Sequence, residues 1–319
     1  MSFDPTYTIP AHTRRQFQDS FSAQIQQVES RFAVAQNNAS DWTAKQYVKR
    51  MSGQQTWRVN NGRFGKNLAK EFVAGFRSGF WQTLEMEPVK FDQHDKAKLD
   101  TISLPTSDVI RDGKSAFNRL CDDLFLTAAL ADSLGGEDPY VTPTVFPTAN
   151  VIPVNYIKAG VAASGASSGM TIWKILRAKK YYEDLSINLD QEELFLAMSP
   201  DDKMNLLLSA EAAPNEAWAK ITLDWVMKME TGQKDAKLFG FTPIITTRLS
   251  TATVSSELIE SAIAFSRRAF CWCPMMNIET RIEQGSIEDR NMITVGANAT
   301  HGVFREHDEL VLNIKCLRV

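Results

Sequence analysis

The sequence predicts a mixed α/β (α+β) protein of two lobes. Three observations lead there. The chain has 319 residues, enough for about two domains' worth of core. Its last fifty residues alternate with a period of two: Ile278, Thr280 and Ile282 on one side with Glu279, Arg281 and Glu283 on the other, then Leu310, Leu312, Ile314 and Cys316 facing one way. Such a period marks half-buried strands. Between residues 170 and 274, helical and strand patterns take turns, which implies helices packed on a sheet.

From the N-terminus, residues 13–36 carry Phe17, Phe21, Ile25, Val28 and Phe32 at spacings of four, four, three and four. That places them on one face of a helix. Such a helix needs a surface to lie on, either its own domain or a neighbouring subunit.

Residues 39–100 show no long period, and an extended or hairpin-like excursion with short strands is expected. Between Trp42 and Leu84 the basic residues are Lys45, Lys49, Arg50, Arg58, Arg63, Lys66, Lys70 and Arg77, against Glu71 alone. Trp57, Phe64, Phe76 and Trp81 are interleaved with them. This mixture suits single-stranded nucleic acid or a protein contact. The protein contact is favoured, because all but one of the 38 acids lie outside the segment with only 27 of the 35 basic residues. The rest of the chain is acidic enough to receive a basic loop.

Residues 106–134 read as a long helix. Thr106, Ser107 and Asp108 are N-cap candidates, Phe117, Leu120, Leu124, Ala128 and Ala131 form its apolar stripe, and Gly135–Gly136 is its stop. Residues 137–169 form a connector with Pro139, Pro143, Pro147 and Pro153, followed by a small-residue tip at 160–169. Then come a helix at 171–184 (Ile172, Ile175, Leu176, Tyr182 inward), a strand at 194–198, and a helix opened by Ser199-Pro200-Asp201-Asp202. A helix at 216–229 (Trp218, Ile221, Trp225, Met229 inward) precedes strands at 238–248 and 269–273.

Catalytic and metal chemistry find no residues to carry them. Of the four histidines, none has zinc spacing, and His301 and His307 are expected to face solvent. Cys271 and Cys273 share a strand face and read as core. The pairs Asp122–Asp123, Glu192–Glu193 and Asp201–Asp202 read as solvated or capping groups, since adjacent carboxylates on a helix do not face one another. No phosphate loop or nucleophile elbow is present. No enzyme activity, cofactor or metal is expected. The four cysteines, Cys121, Cys271, Cys273 and Cys316, make no disulfide framework, so a reducing cytoplasm is expected. No apolar run reaches the length of a membrane span, no signal peptide is read at the N-terminus, and a net charge of −3 argues against a bulk polyanion binder.

In order, these pieces resemble the major capsid proteins of tailed bacteriophages. FQDSFSAQIQQVESRF is similar to that family's N-arm helix, FNRLCDDLFLTAALA to its spine helix, and ELFLAMSPDDKMNLLL to a strand, Ser-Pro turn and helix of its axial domain. LFGFTPIITT resembles its glycine–phenylalanine strand and VFREHDELVLNIKC its terminal strand. The resemblance implies a Hong Kong 97-type capsid fold. Its parts would be an N-terminal arm (1–38), an extended loop (39–100), a peripheral domain (101–150 and 275–319) and an axial domain (151–274). It implies hexamers and pentamers tiling an icosahedral head around double-stranded DNA, in a virion assembled in the host cytoplasm. Portal, scaffolding and decoration proteins are the implied partners, with non-specific DNA contact and no membrane. An encapsulin-like compartment shares the fold, and a nucleic-acid module at 42–84 is the reading from another class. Phe17, Phe21, Ile25, Phe32, Trp57, Arg58, Phe64, Phe76 and Trp81 are the expected subunit-interface residues. Lys66 and Lys70 are candidates, by location, for the side-chain crosslinks made by some relatives.

Overall fold

A computed structural model of the chain describes residues 27–39, 46–52, 74–91, 106–136, 141–157, 166–185, 192–211, 217–230, 237–284 and 292–318. It divides into two compact units. One holds Met1–Glu29, Thr83–Arg119 and Met276–Ala299; the other holds Ser30–Gln82, Leu120–Met275 and Thr300–Val319.

The larger unit is built on a sheet of order β7-β14-β11-β8-β9, with β10 paired to β11. Its strands are β7 (Val151–Ile152), β8 (Leu194–Met198), β9 (Phe241–Ile245), β10 (Thr251–Val254), β11 (Glu257–Ser266) and β14 (Val311–Leu317). β8 and β9 run parallel, so a crossover must join them. Helices α3 (Pro200–Glu211) and α4 (Ala217–Glu230) supply it. Strand β8 is buried at every residue, as a continuous apolar run in an inner strand demands. Pro243 lies in β9, at the sheet's edge, where its missing N–H costs least.

The core is aromatic. Phe32 stacks on Phe125 at 4.9 Å between ring centroids. Phe125 meets Phe270 at 4.5 Å, and Phe195 meets Phe265 at 5.5 Å. From α2 (Ile172–Asp184), Tyr182 is fully buried, and its hydroxyl donates to the carbonyls of Ala264 and Leu310. α3 opens as its sequence predicts. Ser199 Oγ accepts from Asp202 N at 3.1 Å, and Asp202 Oδ2 accepts from Ser199 N at 3.4 Å, a reciprocal capping box.

A second sheet of this unit pairs β1 (Gln46–Ser52) with β2 (Ala74–Phe80) antiparallel, continuing to β5 (Ser133–Gly135) and β6 (Thr142–Thr144). The hairpin-like excursion is therefore present where the chain is described.

The smaller unit takes the first part of α1 (Thr106–Leu130) and most of β3 (Gln82–Glu85) with β4 (Val89–Phe91). It also holds parts of β12 (Phe270–Gln284) and β13 (Ile293–Arg305). β4 pairs with β13 from Val89↔Val295 to Phe91↔Ile293, and Met86 N donates to Ala297 O at 2.8 Å. Gly113 of α1 packs against the flexible side chain of Met86, whose sulfur an added β-carbon would have to displace.

Several expectations are corrected. Residues 13–26 lie outside the described residues, but 27–36 form no α-helix: only Ala33–Ala35 makes a 3-10 turn, and Val28 is exposed. The reason is Asp122. Its carboxylate, on α1, accepts from Ser30 Oγ at 2.6 Å and Arg31 N at 3.1 Å, a long-range bond that holds this segment in a non-helical course. α1 ends at Leu130, and Leu134 is in β5, so Gly135–Gly136 is no helix stop. A β-carbon on Gly135 would crowd Phe76 O. The buried stripe of α1 is Ser115, Cys121, Asp122, Phe125, Leu126 and Ala129, and Leu120 is exposed. The expected stripe of Phe117, Leu120, Leu124, Ala128 and Ala131 lies about one position round the helix from the buried one and passed over Cys121, Asp122, Phe125, Leu126 and Ala129. In α4 the covered residues include Thr222, Trp225 and Val226, while Ile221 is exposed. The strands expected at 269–273 and 277–284 are one strand, β12. β14 lies between β7 and β11, and Val311–Ile314 are buried on both of its faces rather than alternating. In the chain by itself, β12 beyond Met276 is largely exposed rather than half-buried.

Candidate assembly surfaces

The connection from β13 to β14 reads Arg-Glu-His-Asp-Glu (residues 305–309), and it clasps the root of the β1–β2 hairpin. Lys49 of β1 reaches Glu306 Oε2 at 2.8 Å. Arg77 of β2 pairs with Asp308 and donates to Thr144 Oγ1 at 3.0 Å. Arg305 is wholly buried. Its Nε is 2.6 Å from Asp308 Oδ1, its Nη1 donates to the carbonyls of Ala129 (2.8 Å) and Ala131 (2.7 Å), and its guanidinium lies 4.8 Å from the centre of the Phe146 ring. A cation is thus supplied where the last turn of α1 leaves carbonyls without partners. Asn150 Nδ2 donates to Asp308 O at 2.7 Å, and Tyr181 donates to Asn150 Oδ1 at 2.8 Å.

His307 lies between Glu306 Oε1 (3.1 Å) and Glu309 Oε1 (3.4 Å). Hydrogen bonds to Glu306 and then Glu309 push its pKa up to about 9. Burial pulls Glu306 upward, but hydrogen bonds from His307 and Lys49 outweigh it and leave the carboxyl below its ordinary value. The hydrogen bond from His307 likewise lowers Glu309. These groups line a cleft of about 460 Å³ with Asn37, Glu192 and Arg268. Arg268 pairs with Glu192 at 2.7 Å. Its charges are matched within the chain, so chemically the cleft is a junction of ion pairs.

The expectation that His301 faces solvent is corrected. It is buried edge-on to Trp272, with ring centroids 5.4 Å apart, and burial lowers its pKa. His307 is half-shielded between its carboxylates. Cys271 and Cys273 are core, packed with Phe304 against Tyr47 and Trp81. Asp122 and Glu192 are bonded internally rather than solvated, and Asp123 binds Arg248 through two contacts of 2.5 Å.

Of the nine expected interface residues, Phe17, Phe21, Ile25, Trp57, Arg58 and Phe64 lie outside the described residues. So do Lys66 and Lys70. Phe32 is buried in its own chain's core. Trp81 is half-buried on the Cys271–Cys273 cluster, and Phe76 is 43% exposed. Sequence reading missed another group of exposed apolar side chains: Met204 and Leu208 on α3, Leu223 and Met227 on α4, and Ile282 on β12, the last 56% exposed. The signal available was α4 itself, whose sequence puts Leu223 and Met227 on the side away from Trp225.

A mixed α/β chain with matched internal charges and large apolar side chains left open on several elements is a subunit built to be covered by others. The family comparison agrees: the chain belongs to the phage capsid protein family, whose model matches residues 9–318. Among curated proteins none matches. Among solved structures, the capsid of Ralstonia phage GP4 is similar at a TM-score of 0.65 and 13% identity, covering 100% of this chain and 99% of that chain. The cyanophage Pam1 capsid gives 0.66 at 12% identity, covering 98% of each chain. The head of Helicobacter pylori bacteriophage KHP40 gives 0.63 at 9% identity, covering 98% of this chain and 97% of that one. The fold is the Hong Kong 97-type capsid fold, and the chain is a major capsid protein, a building block of the phage head.

Proposed function

We propose that this chain works purely as a structural subunit, with no catalytic role. It closes into hexamers and pentamers and tiles an icosahedral head around double-stranded DNA. The observation that carries this is the exposure of large apolar residues on regular elements of a chain whose core is already complete. Buried apolar area contributes about 25 cal/mol per Å², less the cost of ordering and association, so many modest contacts must act together, and closed symmetry lets them.

In this reading residues 101–150 and 275–299 form the peripheral domain, and the axial domain takes 151–274 together with the terminal strand β14, which lies between β7 and β11 in its sheet. Phe17, Phe21 and Ile25 of the arm, with Trp57, Arg58, Phe64, Phe76 and Trp81 of the loop, contact neighbouring copies. Phe32 anchors the arm in its own subunit. Portal, scaffolding and decoration proteins complete the head, which is assembled in the host cytoplasm, and the packaged DNA is touched without sequence preference.

The test is negative-stain electron microscopy with light scattering, on the protein expressed alone and with its neighbouring head genes. Closed shells, tubes or rings support the reading. A subunit that stays monomeric under both conditions overturns it. Alanine at both Trp57 and Phe76, the latter exposed, is expected to abolish shells while leaving the circular dichroism of the subunit unchanged.

A further inference from the structure

Helix α4 buries Thr222, Trp225 and Val226 on one side. The opposite side carries two large apolar side chains among charged ones: Leu223 and Met227 are exposed, the latter by 62%. With Lys220 they form a stripe at i, i+3 and i+7, a single helical face. Asp224 on the same side is matched by Lys228 at 2.6 Å. On the adjoining α3, Met204 and Leu208 stand exposed one turn apart. That side mixes two large apolar side chains with charged ones, the composition of a contact surface rather than a core, and methionines suit a surface that must adapt to a partner.

The β10–β11 hairpin has the complementary character. Residues 251–258 are exposed without a break. Val254 is paired with Glu257 and Ala252 with Ile259, and directly opposed residues share a face. One face of the hairpin tip therefore carries Glu257 beside Val254, then Ala252 beside the buried Ile259, and the Glu257 carboxylate keeps one free side while it accepts from Ser167 Oγ. The α4 stripe carries an ammonium followed by two apolar side chains. Ser255 and Ser256, which form the tip, both have positive φ (52° and 68°), as a tight two-residue hairpin turn requires.

We propose that the α3–α4 face is a contact between copies of this chain, filled in the head by the β10–β11 hairpin of a neighbouring subunit. Val254 and Ala252 lie on Leu223 and Met227, and the Glu257 carboxylate faces the Lys220 ammonium. Because the two surfaces differ, the contact is head-to-tail, the kind that closes a ring. It rests on the shell-subunit reading and names one of that shell's contacts.

All four native cysteines are buried, so engineered thiols report cleanly. Particles carrying Met227→Cys with Val254→Cys, once oxidised, are expected to give a ladder of covalent oligomers on non-reducing gels. Each single variant stays monomeric. Particles of the double variant that run only as monomer, or a ladder from Met227→Cys alone, overturn the hairpin as occupant. If the double variant fails to form particles, the pair Leu223→Cys with Ala252→Cys is read in the same way.

The unaltered protein gives a second reading. Peroxide oxidation followed by mass spectrometry compares Met204 and Met227 in particles and in dissociated subunits. Both are expected to lose reactivity in particles. If particles form and both stay as reactive as in subunits, the face is open: this proposal falls while the shell reading stands. If no condition yields particles, the shell reading itself falls, and this contact with it.

Discussion

Arg305 and Asp308 form an ion pair in which the guanidinium has no access to solvent: Nε lies 2.6 Å from Oδ1, three residues on. Asp308 also pairs with Arg77 of β2. The carboxylate therefore links the end of β13 to the root of the β1–β2 hairpin. Removing one partner of a buried pair strands the other, at about 3–5 kcal/mol. Asp308→Ala is expected to lower subunit stability by about that much, read as a fall in the urea midpoint. An unchanged midpoint would show that the carbonyls of Ala129 and Ala131 suffice for Arg305.

His307 makes the junction sensitive to alkali. Its pKa is about 9 in the fold and about 6.5 in an unfolded chain. A group whose folded value is raised contributes its full stability below the unfolded value and loses it as pH rises through the folded one. Subunit stability is therefore expected to decline between about pH 6.5 and pH 9. Glu306 and Glu309, shifted down, act in the opposite sense and lose their contribution in acid. His307→Gln should flatten the alkaline decline in urea midpoints. A variant that keeps the full slope would place its origin elsewhere.

Order and type of most elements were legible because each carried a local signal. Ser199 and Asp202 bracket a proline and announced α3. The alternation of Leu312, Ile314 and Cys316 announced β14. What stayed hidden depended on distant partners. Nothing near Asp122 says that its carboxylate will hold residues 30–32 and keep them from becoming helix. The contact between Trp272 and His301 joins positions far apart in sequence, so His301 looked like a surface residue. The exposed face of α4 was misread for another reason. Periodicity marks which residues are apolar, not which partner covers them, and here the chain itself covers only one side.

Ser255 and Ser256 offer a test by improvement. They form a two-residue hairpin turn with both φ values positive, where Asn-Gly fits without strain. A left-handed conformation costs an ordinary residue about 1–2 kcal/mol. Ser255→Asn with Ser256→Gly is expected to raise the subunit's melting temperature. A lower one would mean that the two serines make contacts worth more than the strain.

Lys174 of α2 shows this chain pinning an element with polar bonds in addition to the apolar packing of Ile175, Ala178 and Tyr182. Its ammonium is buried and donates to the carbonyls of Ser168 (2.8 Å), Gly169 (2.9 Å) and Lys315 (2.9 Å). Burial lowers its pKa, and the nearby Cys316 and Asp202 partly restore it. Three donors meet three acceptors, so α2, the segment entering it and β14 are tied at one atom. Ser168 O also accepts from Leu317 N at 2.9 Å and keeps a partner if the lysine is lost. Lys174→Met preserves the stem's packing and removes the donors, at about 1–3 kcal/mol for each carbonyl left unpaired. A lowered urea midpoint, with faster amide exchange at 168–171, is the expected result. A variant as stable as the unaltered protein would mean that the cost of burying the charge cancels the three bonds, leaving Lys174 to fix geometry rather than to add stability.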